Sequence, residues 1–148
     1  MRNAGTPWLI AAALLSAAAA ALHLAAIAGG PGWYRFLGAG ERMARLAEGG
    51  SPRPTLITLA IAAVLAAWSA YALAGAGVIR PLPLMRTALV TITAIYLLRG
   101  LVLVPALALN SGRVGPFLWW SSLIVLGYGI AYAVGTFRAW PALADATR

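Results

Sequence analysis

The sequence predicts an all-α polytopic membrane protein, a four-transmembrane-helix bundle with a short interfacial amphipathic helix between the first and second spans. Three observations lead there. Of 148 residues, 62% are hydrophobic and 9% charged, against about 25% charged in a soluble domain. Four apolar runs, at about 8–28, 55–74, 86–109 and 117–137, each approach the ~20 residues that a bilayer crossing requires. Glycine, proline and arginine gather in the breaks between them, where helices stop and headgroups begin. The chain therefore reads as a single membrane domain over 1–148.

The first run, Trp8 to Ala28, ends in alanines as a signal peptide does, but it is longer than a signal h-region of about 7 to 15 residues and reads as a retained span. Gly29-Gly30-Pro31-Gly32 stops it. From Trp33 to Glu48 the small or apolar residues Phe36, Leu37, Gly40, Met43, Ala44 and Ala47 recur at three- and four-residue steps, which predicts an interfacial helix over 33–48. Pro54 opens the second span, and alanines 62, 66, 70 and 74 give it a small-residue ridge. Gly75-Ala76-Gly77 ends it, and Arg80-Pro81-Leu82-Pro83 makes a stiff turn. The third span carries Arg99 inside, with Arg86 at its mouth and Pro105 as a kink or effective end. After a loop over 110–116 the fourth span begins at Trp119-Trp120, and Gly127, Ala131 and Gly135 mark a small-residue packing face. The residues after Phe137 read as a short polar tail.

The net charge of +8 comes from eleven arginines, no lysine and three carboxylates, Glu41, Glu48 and Asp145. Ten of the arginines flank the spans, so they are expected to meet lipid headgroups and not nucleic acid. Arg2, Arg80, Arg86, Arg138 and Arg148 fall on the side of the termini, and Arg35, Arg42, Arg45, Arg53 and Arg113 on the other. The tie leaves only the greater weight of short loops to favour cytoplasmic termini, in a bacterial inner membrane. Such a balance is either an accident of a small protein or the mark of a chain inserted in both directions. With no cysteine there is no disulfide and no thiolate metal site.

Arg99 is the one charge inside an apolar run, and an ionised guanidinium there requires a partner. Aligning the spans by depth puts His23 roughly 7 to 8 Å, and Ser121 and Ser122 about 6 to 9 Å, below the face away from the termini. Arg99 lies at roughly 15 Å, or nearer 9 Å if Pro105 ends its helix. Tyr96 shares its face, and Glu41 is available from the interfacial helix as a counter-ion. A polar layer of Arg99, His23, Glu41, Tyr96, Ser121 and Ser122 is the predicted site. An i,i+4 pair with Arg45 is the plainer account of Glu41, and an interfacial hydrogen bond that of His23.

One histidine and three carboxylates predict no metal site and no cofactor, and nucleotide-binding and hydrolase motifs are absent. Small multidrug transporters are similar in size and span number, yet the glutamate of their first span has no counterpart here. In general pattern the chain resembles small four-span proteins of bacterial inner membranes. The leading expectation is a non-enzymatic accessory or lipid- or anion-binding component, partnered by the bilayer, by copies of itself or by another membrane protein. A small oligomeric transporter or channel for an anionic or amphipathic solute is the alternative. A lipid-modifying enzyme stands third, since no nucleophile accompanies His23.

Overall fold

The computed structural model describes residues 4–110 and 115–145, without the side chains of 110, 144 and 145. The described residues form six helices: α1 Thr6–Phe36, α2 Glu41–Glu48, α3 Arg53–Gly75, α4 Met85–Leu101, α5 Leu103–Asn110 and α6 Pro116–Asp145. Four segments are long and apolar enough to span a membrane, namely α1, α3, α4 with α5, and α6. Helices are what such sequences must form there, because the hydrocarbon offers a backbone polar group no partner outside its own segment.

Local chemistry sets the ends. α1 does not stop at Ala28 but bends at Gly30, whose φ of 67° no helix contains, and resumes at Pro31, which needs no N–H donor in a first turn. The predicted helix over 33–48 is thus divided, its first part belonging to α1 and its second being α2. Gly38 separates them. It donates to Arg35 O while Ala39 donates to Tyr34 O, a paired helix stop that requires a left-handed residue. The same stop recurs at Gly50 after α2 and at Gly77 after α3.

The third span breaks at Val102 because Pro105 cannot donate to Leu101 O. The fourth continues eight residues beyond Phe137, so the expected tail is helical through Asp145. Arg86 on α4 bonds Trp140 O at 3.0 Å, and Ala139 is buried. Those contacts hold a stretch that composition alone marks as loose. Residues 111–114, from the expected loop over 110–116, lie outside the described residues, as do Arg2 and Arg148.

The chain forms two compact units. The first comprises Met1–Leu15 and Trp68–Arg148. In it α4 and α6 run antiparallel: Arg86 meets Trp140 at one end and Arg99 meets Ser121 and Ser122 at the other. Along the same contact a Cβ added at Gly100 would stand 2.7 Å from Leu126 Cα, and one at Gly129 2.7 Å from Leu97 Cδ2. Gly5 lies against Gly135 and Ala139 of α6 in the same way, and Gly75 against Leu9 and Leu89. Lipid tails are as apolar as leucine, so spanning helices associate through such close packing and through interhelical hydrogen bonds. Hydroxyls supply some of these bonds: Thr6 donates to Ala76 O at 3.2 Å, Ser69 to Ala13 O at 2.8 Å and Tyr132 to Trp68 O at 2.9 Å.

The second unit, Ser16–Ala67, holds the rest of α1 and α3 together with α2. Ala44 of α2 and Tyr34 of α1 are buried, whereas Glu41, Arg42, Arg45 and Glu48 are exposed. The apolar residues of α2 thus turn inward and its charges outward, as its three- and four-residue spacing dictates.

Candidate functional site

Arg99 stands two residues before the end of α4. Its Nη1 donates to Ser122 Oγ and its Nη2 to Ser121 Oγ, each at 3.2 Å, and Ser121 Oγ donates in turn to Leu118 O at 3.4 Å. A guanidinium has five N–H donors, and these bonds use two. Both partners are neutral. The two serines stand five and six residues into α6, so the group lies about 7.5 to 9 Å from that helix's start. The exposed rings of Trp119 and Trp120 come just before them. Aromatic rings of this kind favour the boundary between hydrocarbon and headgroups.

One turn earlier on α4, Tyr96 is buried among aromatic rings. The Trp68 ring stands edge-on with its centroid 4.9 Å away, and those of Tyr128 and Tyr132 lie at 5.5 and 5.3 Å. Tyr96 therefore helps build the core beside Arg99, each aromatic pair contributing about 0.5 to 1.5 kcal/mol beyond its burial.

His23 and Glu41 belong to the second unit. His23 Nδ1 lies 2.7 Å from Ala19 O, one turn back in α1. A carbonyl only accepts, so Nδ1 carries the proton in this contact. Glu41, expected as a counter-ion for Arg99, has both oxygens engaged nearby: Arg35 Nε donates to Oε2 at 2.8 Å, Arg35 Nη2 to Oε1 at 3.0 Å and Arg45 Nε to Oε1 at 3.1 Å. Arg35 also pairs with Glu48 at 2.8 Å. The hydrogen bonds from Arg35, then from Arg45, hold the Glu41 carboxyl at about 2, well below its ordinary value. The described carboxylates are thus claimed by Arg35 and Arg45.

Of the expected packing face on α6, Gly135 lies against Leu9 and Ala131 is buried, while Gly127 faces open space. Residues four apart advance by about 40° around a helix of 3.6 residues per turn, so the stripe winds from the outer surface into the core. Gly100 and Gly129 are packed tightly between α4 and α6, and periodicity does not single them out. Sequence reasoning also missed the stacking of Arg86 on Trp140, its Cζ 4.6 Å from the ring centroid. Its one signal is an arginine at a helix mouth.

Open surface depressions lie beside Glu41, Arg42, Arg45 and Leu46 and beside Pro116, Trp119, Trp120 and Leu123. Among the described residues no three His, Asp or Glu side chains gather as metal ligands would. Fold and site together define an all-α membrane protein with four spanning helices and an arginine of the third span, near the end of α4, held by two serines of the fourth. Neither a protein-family model, nor a curated protein, nor a solved structure matches the chain.

Proposed function

We propose that the protein is a non-enzymatic membrane component that holds an anionic group at Arg99. One observation carries this: the guanidinium has two neutral hydroxyls as partners, while the described carboxylates pair with Arg35 and Arg45. Placing an arginine in a spanning helix costs about 2.5 to 3.5 kcal/mol on insertion scales when it is central. Serine hydroxyls offset part of such a cost but leave a full positive charge. An anion removes that charge and occupies donors the serines do not use, and the flat fork of arginine suits a phosphate or carboxylate. In this reading the chain resides in a bacterial inner membrane with cytoplasmic termini, as an accessory subunit or a self-associating component.

The test is the thermal stability of the purified protein with and without anionic ligands, both inorganic phosphate and anionic lipid, at fixed ionic strength. A ligand at a hundred times its Kd adds about 2.7 kcal/mol to the native state. That increment is expected in the wild type and in Arg99→Lys to a lesser degree, and is lost in a folded Arg99→Ala. Unfolding of both Arg99→Ala and Arg99→Gln, with no ligand effect on the wild type, would assign the residue to packing instead.

A further inference from the structure

We infer that the anion held at Arg99 is the phosphate of an amphiphile whose chain lies along the outer face of α4 formed by Ile95 and Leu98. The inference rests on the reading of Arg99 as an anion site and names the class of ligand. Ile95 precedes Arg99 by four residues, so the two side chains share one face of the helix. Leu98 is adjacent. Ile95 and Leu98 are 43% and 70% exposed, and Arg99 is itself exposed. The cation therefore stands at the end of an outward apolar strip that runs back along α4.

A free anion at such a place would give up its hydration and leave the strip bare. An amphiphile loses nothing comparable, because its chain covers apolar surface while its phosphate meets the guanidinium. Depth points the same way. Arg99 lies level with Ser121 and Ser122, directly after the exposed Trp119 and Trp120. The headgroup zones add about 5 to 7 Å to each side of a hydrocarbon core of ~30 Å. An arginine about 7.5 to 9 Å from the start of α6 reaches that zone with a side chain that extends several ångströms. The ligand that a bilayer supplies at this level is a lipid phosphate.

The experiment is native mass spectrometry of the full chain in an uncharged detergent, titrated with dioleoyl phosphatidylglycerol. Dioleoylglycerol serves as the probe without phosphate and inorganic phosphate as the probe without chains. Phosphatidylglycerol is expected to bind the wild type at least about tenfold more tightly than Arg99→Ala, the factor that 1.4 kcal/mol represents. Dioleoylglycerol should not distinguish the two proteins, and a hundredfold excess of inorganic phosphate should leave the lipid in place. Displacement by an equal concentration of inorganic phosphate would overturn the amphiphile and leave the anion site standing. Equal lipid binding by wild type and Arg99→Ala would overturn both. If Arg99→Ala does not fold, the phosphate competition on the wild type and the retained binding of Arg99→Lys decide the matter.

Discussion

Arg99 of α4 donates to Ser122 of α6 at 3.2 Å, and Ser122 is 1% exposed, so this bond ties a cation at the edge of its unit to a hydroxyl in the core. Hydrogen bonds to charged groups contribute about 1.5 to 3 kcal/mol in soluble proteins, but interhelical bonds in membranes average about 0.6 kcal/mol. Ser122→Ala is therefore expected to cost about 1 kcal/mol, and the half-buried Ser121→Ala less. A double-mutant cycle with Arg99→Met, followed by reversible unfolding in mixed micelles, measures the coupling. Additive effects would show that the contact contributes nothing.

The approach of α4 to α6 makes opposite forecasts for two glycines. A Cβ at Gly100 would strike the backbone of Leu126, which cannot rotate away, and Gly100→Ala should cost about 1 to 3 kcal/mol by forcing the helices apart. Gly127 faces open space, so Gly127→Ala should be neutral or stabilise by up to about 1 kcal/mol through its helix propensity. Equal losses in a thermal unfolding assay would contradict this register. A loss at Gly127 alone would mean that another molecule covers that face.

Glu41 titrates the link between α1 and α2. Its folded-state value of about 2 lies below the ordinary 4.5, so the interaction is complete above pH 4.5 and is lost as the pH falls towards 2. Because the carboxylate is exposed, the effect is a local release of α2 and not global unfolding. A carboxyl-carbon NMR titration should place the Glu41 midpoint well below that of an unpaired glutamate. Arg35→Gln should move it back up, more than Arg45→Gln does, since Arg35 supplies the larger part of the shift.

Arg86 contacts the last turns of α6. It bonds Trp140 O and lies over the Trp140 ring, immediately before Pro141 interrupts the helical hydrogen bonding. Loss of an exposed cation–π contact and its hydrogen bond costs about 1 kcal/mol, so Arg86→Gln should speed amide exchange over residues 138–145 about fivefold. Exchange in α4 and in the middle of α6 should not change. Unaltered protection at the end of α6 would show that Ala139 and its neighbours hold it without the arginine.

The spans and their order were determined by sequence alone, for a physical reason. In hydrocarbon a segment must satisfy its backbone internally, so length and apolarity suffice to predict a helix. The stops at Gly77 and at Gly49-Gly50 were legible in the same way, through glycine's access to left-handed backbone. Depth alignment puts Ser121 and Ser122 at about 6 to 9 Å but Arg99 at roughly 15 Å, or nearer 9 Å if Pro105 ends its helix. It is the tertiary structure that has Arg99 donating to both serines. What tertiary structure decided is azimuth and partnership. Residues facing lipid and residues facing the core are equally apolar in these helices, so periodicity does not tell Gly127 from Gly100, nor foresee the Tyr96 aromatic cluster. Charge partners were hidden for a related reason. A carboxylate can be matched to any nearby arginine until the chain is folded, and the bend at Gly30 with the stop at Gly38 gives Glu41 to Arg35 and Arg45.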